Sequence, residues 1–164
     1  MAFDPDAAGT RFRIHDVGQM KWEEIDEGKR KADYAWNFCE GRHDNPDRPG
    51  SKNCALAPFT PPIHEYSHKT GCNSITGGAF VPNAGSWPDS YDNVYLFSDI
   101  ICDKIFMLKP KSGGGFAQTL FANDPGAGGP VAMTFGPHGS DGTALYYTTF
   151  AEDGLVRRIT YRGN

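Results

Sequence analysis

The sequence predicts an all-β protein, and three observations carry that prediction. Its 20 glycines and 12 prolines make up about a fifth of the 164 residues, against roughly 12% in average usage. Aromatic residues stand at 13%, which excludes a disordered chain and suits many short strands joined by tight turns. Strand-like runs bounded by turn residues recur along the chain, and short Phe- and Pro-containing segments repeat ahead of some of them.

In chain order the predicted strands are Arg11–Asp16, Ile63–Tyr66, Ile75–Val81, Val94–Ser98, Lys104–Leu108, Phe116–Phe121, Val131–Phe135, Ala144–Phe150 and Leu155–Tyr161. Each is rich in β-branched or aromatic residues, and several alternate with period two. In Leu145-Tyr146-Tyr147-Thr148-Thr149-Phe150 both faces carry such residues, as in a strand buried on two sides. Asp141-Gly142 and Asp153-Gly154 read as hairpin turns. Gly113-Gly114-Gly115 lacks the Gly-Lys-Ser/Thr ending of a phosphate loop and also reads as a hairpin turn. The one stretch with helical character is Trp22–Lys31, short and strongly charged, whose Lys29-Arg30-Lys31 end reads as a solvated turn.

The repeat is Met1-Ala2-Phe3-Asp4-Pro5, Gly78-Ala79-Phe80-Val81-Pro82 and Met133-Thr134-Phe135-Gly136-Pro137, each followed by a turn and a strand. Recurrence of this kind suggests β-propeller blades of four strands; a sandwich with chance similarity is the alternative. At roughly 45–55 residues per blade the chain builds about three blades, whereas closed propellers typically have four to eight. A partial ring leaves open sheet faces and edges. The expectation is therefore a single partial-propeller domain over residues 1–164, with an insertion at about 39–62. A missing N-terminal half, or a second copy in a two-fold dimer, would complete the ring.

A net charge of -4 and a pI near 5.7, with no basic stripe, argue against a nucleic-acid partner. No window approaches the ~18 apolar residues of a membrane span. The first residues, Met1-Ala2-Phe3-Asp4-Pro5, lack the basic and apolar regions of a secretory leader. The four cysteines, Cys39, Cys54, Cys72 and Cys102, match no CxxC-type zinc spacing. They are either two disulfides, implying an extracellular or periplasmic location, or four buried thiols.

An ordered series of segments resembles the soluble quinoprotein glucose/sorbosone dehydrogenases over nearly the whole chain. The series runs through Phe3-Asp4-Pro5, Asp16-Val17-Gly18-Gln19-Met20-Lys21-Trp22-Glu23-Glu24-Ile25-Asp26, Asp33-Tyr34-Ala35-Trp36 and Cys39-Glu40-Gly41. It continues with Pro61-Pro62-Ile63-His64-Glu65-Tyr66-Ser67-His68, Gly71-Cys72-Asn73-Ser74-Ile75-Thr76-Gly77-Gly78, Tyr95-Leu96-Phe97-Ser98-Asp99, Lys104-Ile105-Phe106, Phe135-Gly136-Pro137 and Leu145-Tyr146-Tyr147. The resemblance implies the C-terminal half of a six-bladed propeller that uses pyrroloquinoline quinone (PQQ) and calcium to oxidise an aldose at C1. It also implies that calcium meets backbone carbonyls at Gly18 and Gln19.

The family's histidine base and an Arg-Asn pair on the quinone belong to the N-terminal blades, and none of His15, His43, His64, His68 and His138 matches that context. The family's cofactor lysine would fall near Ile101 and its arginine pair near Gly128–Val131, where this sequence has no cation. Lys69, with His68 and Asn73 beside it, is the nearest candidate for the cofactor's carboxylates. Half a ring without its base is expected to be inactive alone.

Glu23, Glu24 and Asp26 suggest a metal or an acid–base pair, but a polar loop face accounts for them as well. The loop Asp44-Asn45-Pro46-Asp47 lacks the spacing of a calcium hand. Trp87, Tyr91 and Tyr34 suggest a sugar-stacking platform or, more simply, packing between blades. Within blades, Cys102 falls in the turn between two strands and Cys72 just ahead of the neighbouring one, close enough to bridge. This pairs Cys72 with Cys102 and leaves Cys39–Cys54 to close the insertion loop, a closure of ~15 residues worth about 3 kcal/mol. Two functions follow: a sugar dehydrogenase needing the rest of its ring, or a non-catalytic carbohydrate- or protein-binding module.

Overall fold

The strands of the computed structural model, which describes residues 1–48, 54, 56, 58–126, 128–140, 142–151 and 153–162, form three antiparallel sheets ranged face to face. The first holds β1 (Ala2–Phe3), β2 (Phe12–Asp16), β3 (Trp22–Glu27) and β6 (His64–Ser67), in the order β1-β2-β3-β6. Between β3 and β6 the chain makes a two-stranded ribbon of β4 (Cys39–Glu40) and β5 (His43–Asp44). The second sheet is a meander of β7 (Ile75–Phe80), β8 (Tyr95–Asp99), β9 (Lys104–Pro110) and β10 (Phe116–Asn123). The third holds β11 (Pro130–His138), β12 (Gly142–Thr149) and β13 (Val156–Thr160). The fold is that of β-propeller blades, and every strand expected from the sequence is present, shifted by a few residues at its ends.

The second sheet is covered on both sides, and its central strand shows why the run Val-Tyr-Leu-Phe is unbroken. Alternate side chains face opposite ways. Val94 and Leu96 pack with Met133, Leu145 and Tyr147 of the third sheet. Tyr95 and Phe97 pack with Ile25 and Tyr66 of the first. Every residue of β8 is buried. Arg13 is 1% exposed between the first two sheets, paired with Glu27 at 2.9 Å and lying over the rings of Phe80, Tyr95 and Phe116. The guanidinium plane suits that slot because it stacks on aromatic faces while keeping its ion pair.

Three expectations are corrected. Trp22–Lys31 is not helical: Trp22–Glu27 is β3, followed by a turn. Its period-two pattern is disguised because both buried faces carry acids, Glu23 toward the second sheet and Glu24 and Asp26 toward the insertion. These acids do not form a polar loop face; they are 0%, 4% and 1% exposed. Finally, β12 is not buried on both sides. Leu145 and Tyr147 are buried, but Thr148 on the other face is exposed and Phe150 beyond the strand is 75% exposed.

Both disulfides pair as expected from the turns: Cys39–Cys54 with Cα atoms 5.8 Å apart and Cys72–Cys102 at 4.9 Å. Asp153 and Gly154, with φ of 60° and 74°, form the expected tight turn before β13. Asp141 of the other predicted hairpin turn, and residues 49–53, 55 and 57 of the insertion, lie outside the described residues. Trp87 is 6% exposed and packs against Tyr91, Phe121 and Phe135, so its ring belongs to the core and not to a sugar platform. The Tyr34 hydroxyl is likewise occupied, donating to the Glu27 carbonyl at 2.8 Å.

Candidate functional site

Two places in the structure gather the residues singled out in the sequence, and a third explains the repeat. The three repeat segments meet at one hollow of about 360 Å³, lined by Phe3 and Pro5, by Phe80 and Pro82, and by Met133, Thr134 and Phe135. Strand β7 packs beside β11, and β1 beside β7, so equivalent strands of the three sheets converge there. The hollow carries no titratable side chain and offers shape without chemistry.

The chemistry lies around the loop before β3. Gly18 is packed so tightly that a Cβ would stand 1.6 Å from the Trp22 carbonyl oxygen. The next backbone groups are held from the insertion: Glu40, 1% exposed, accepts the N–H of Met20 at 2.5 Å and of Lys21 at 2.8 Å. Gln19 donates its side-chain amide to Asp47 at 3.3 Å. The Lys21 carbonyl accepts the N–H of His68 at 2.8 Å, docking the turn after β6 onto this loop. That 3-10 turn, His68–Thr70, starts where Ser67 Oγ accepts the Lys69 N–H and ends at Gly71, whose φ of 83° favours glycine.

Loop and turn together enclose a concavity of about 370 Å³ lined by Met20, Lys21, Trp22, Ser67, His68 and Lys69. The structure thus brings His68 and Lys69 beside the Gly18–Gln19 loop. Asn73 is exposed and does not line the concavity. Lys21, which the sequence reading passed over, supplies a second ammonium. Below the concavity, His68 Nε2 meets Glu23 Oε1 at 2.7 Å, and Glu23 Oε2 accepts the Ile75 N–H at 2.9 Å. Burial raises the Glu23 carboxyl above its ordinary range, while the bonds from Ile75 and His68 oppose that shift.

The second place is the other face of β3. The register sets Asp16 opposite Glu24 and Glu24 opposite Glu65, a row of carboxylates across three strands, with Asp26 two residues along. Like charges directly opposite destabilise a sheet unless something answers them. Glu65 is answered by the Arg42 N–H at 2.9 Å and by His43 Nε2 at 3.2 Å. Glu24 Oε2 and both Asp26 carboxylate oxygens are buried without a hydrogen-bond partner among the described residues. Burial, reinforced by Asp26, pushes Glu24 up to about 8; burial, reinforced by Asp16, pushes Asp26 up to about 7. Orphaned buried carboxylate oxygens of this kind must either hold a proton or meet a hard cation. Carboxylate oxygens are donors of the kind calcium takes, but among the described residues Glu24 and Asp26 gather no third acidic, histidine or cysteine ligand atom around one point.

Cys72, Asp99 and Cys102 also cluster, but the sulfurs are joined to each other. The oxygens of Asp99 accept from the Tyr66 hydroxyl and from the backbone N–H groups of Ser74, Ile101 and Cys102. That group is saturated and structural.

No family model matches the sequence. A solved glucose dehydrogenase is similar with a TM-score of 0.71 and 16% identity, over 98% of this chain and 44% of that one. The PQQ-bound aldose sugar dehydrogenase from Streptomyces coelicolor is similar with a TM-score of 0.61 and 19% identity, over 96% and 40%. The soluble aldose sugar dehydrogenase from Escherichia coli in its apo-form gives a TM-score of 0.66 and 16% identity, over 91% and 41%. Over almost its entire length the chain therefore has the β-propeller fold of glucose and aldose sugar dehydrogenases, and it spans less than half the length of each.

Proposed function

We propose that the chain is the cofactor-facing part of a PQQ- and calcium-dependent aldose dehydrogenase. The observation that carries this reading is the concavity where Lys21, Lys69 and His68 meet beside the Gly18–Gln19 loop. PQQ is a planar quinone bearing carboxylates. Two ammonium groups suit those carboxylates, and the Trp22 indole, one face of which stacks on His43, has its other face left for a flat ring. When bound, the quinone supplies the hydride acceptor for oxidation of an aldose at C1. The chain's own residues would bind and orient: Lys21 and Lys69 by charge, and Glu40 by fixing the loop.

Calcium would be held by Oε2 of Glu24 and by Asp26, the oxygens left without a partner among the described residues, with the carbonyls of Gly18 and Gln19, which the family resemblance implies, as further donors. Support for a ring completed by further sequence or by a second copy comes from the uncovered face of the third sheet, where Thr148 and its cross-strand partner Val156, 74% exposed, meet solvent. In this reading the chain alone binds the cofactor and turns over sugar only once the ring is complete. Two disulfides among the described residues are compatible with an extracellular or periplasmic setting.

The test is a titration of the purified chain with PQQ, with and without calcium, followed by the quinone absorbance. Saturable calcium-dependent binding that weakens about tenfold in Lys21→Ala or Lys69→Ala is the expected result, each ammonium–carboxylate pair being worth about 1.5 kcal/mol. No binding, or binding indifferent to both lysines, overturns the reading. One observation then favours a non-catalytic carbohydrate- or protein-binding module: Trp36 and Phe38 stand 54% and 51% exposed on the loop ahead of the first disulfide.

A further inference from the structure

We infer that His68, oriented by Glu23, is a general base facing the concavity, so that the chain carries its own proton acceptor for a bound sugar hydroxyl. The arrangement has the parts such a group needs: a ring nitrogen in reach of a ligand, a carboxylate fixing the tautomer, and anchors for both.

Glu23 is fully buried, and its two oxygens are assigned, one to the Ile75 N–H and one to His68 Nε2. A carboxylate accepts, so Nε2 carries the proton and Nδ1 keeps its lone pair. Nδ1 has no partner among the described residues, and the side chain is 19% exposed, on the lining of the concavity. The ring is held by its 2.7 Å contact with the buried Glu23, and the backbone it hangs from is docked by the His68 N–H bond to the Lys21 carbonyl. The charged groups around it are Glu23 from β3, Lys21 from the loop and Lys69 from its own turn. Asp99 of β8 acts on Glu23 from below.

The step is a proton transfer. The hydroxyl O–H bond breaks, Nδ1 takes the proton, and the electron pair stays on oxygen as an alkoxide facing the two ammonium groups. The imidazolium formed is paired with Glu23. An ammonium beside the developing oxyanion lowers the cost of that charge.

The ligand class, an aldose, rests on the function proposed above; the geometry of the dyad does not. The test uses the whole chain, without the quinone. Nitrogen-15 NMR of the neutral ring is expected to find His68 as the Nε2–H tautomer, with that preference weakened in Glu23→Gln, where the anionic partner is lost. Diethyl pyrocarbonate, mapped by mass spectrometry, is expected to modify His68 at Nδ1. Saturating glucose should slow that modification about threefold or more, as expected of a ligand that covers the base. A His68 protonated on Nδ1, or modification indifferent to glucose, overturns the inference even if PQQ binds. A chain that fails to bind PQQ but shows both signatures loses the quinone reading and keeps the base. Because the NMR measurement is made on the unaltered protein, a misfolded Glu23→Gln leaves the tautomer result decisive.

Discussion

His15 of β2 and Tyr95 of β8 face each other across the first two sheets, with Nε2 2.6 Å from the phenolic oxygen. Nδ1 donates to the Thr76 carbonyl, so Nε2 must accept from the Tyr95 hydroxyl and the ring must be neutral. Burial lowers the His15 pKa from 6.5 to about 4, against the opposing effect of the Thr76 bond. The unfolded chain therefore takes up a proton first as the pH falls. Stability contributed by the neutral ring is complete above pH 6.5 and declines from there to about pH 4. The expected loss is up to about 3 kcal/mol, and urea unfolding at pH 7 and pH 4.5 measures it. His15→Gln should be less stable at neutral pH and lose most of that pH slope; an unchanged slope would refute the assignment.

The Glu24–Asp26 face should show the opposite sign. A carboxyl raised from 4.5 to about 8 in the folded state binds its proton more tightly there than in the unfolded chain. Without calcium, stability should fall as the pH climbs through that window. Calcium should restore it, most strongly at high pH, with release of protons. Chelator-treated protein, unfolded in urea at pH 5 and pH 8 with and without calcium, gives the comparison. Glu24→Gln should flatten both the pH and the calcium dependence. A calcium effect surviving intact in Glu24→Gln would exclude this face as the site.

Removing Glu40 should act at a distance from its own strand. Glu40→Ala leaves the N–H groups of Met20 and Lys21 without their acceptor, at a cost of about 3 kcal/mol for two bonds to a charged group. The local readout is faster hydrogen exchange at those two amides, with weaker PQQ binding following from the loosened loop. Retained amide protection would mean that the loop holds itself.

Gly18→Ala should be among the most damaging small substitutions in the chain. Its Cβ would overlap the Trp22 carbonyl, and relief requires the loop or the start of β3 to move. The expected loss is about 3 kcal/mol or more in urea unfolding, in the range of overpacked sites. A variant within about 0.5 kcal/mol of the parent, as for an ordinary surface change, would show that the loop adapts freely.

Strand positions and both disulfides were legible in the sequence because turn residues and β-branched runs report local geometry. Strand β3 was hidden by its acids. In Trp22-Glu23-Glu24-Ile25-Asp26-Glu27 the hydropathy signal is drowned by carboxylates whose burial depends on partners far away: Ile75 and His68 on one face, the insertion on the other. The same distance hid the working neighbours of His68. Sequence separations of 45 residues to Glu23 and 20 from Glu40 to Met20 exceed anything a local pattern records. Lys69 and His68 could be nominated from their place before Cys72, whereas Lys21 emerged only when the turn docked on the loop. Trp87 was ambiguous for a different reason, since a large ring serves a core and a sugar platform equally well until its neighbours are known.

The double coverage of β8 has a kinetic consequence. A strand whose ladder partners lie on both edges and whose side chains are packed on both faces can expose its amides to solvent only when the flanking sheets detach. Tyr95–Asp99 should thus hold the slowest-exchanging amides in the molecule and set its global opening free energy, while the outer strand β13 frays long before. Heat or protease should pare the protein from the third sheet inward, leaving the β7–β10 meander as the last fragment to give way.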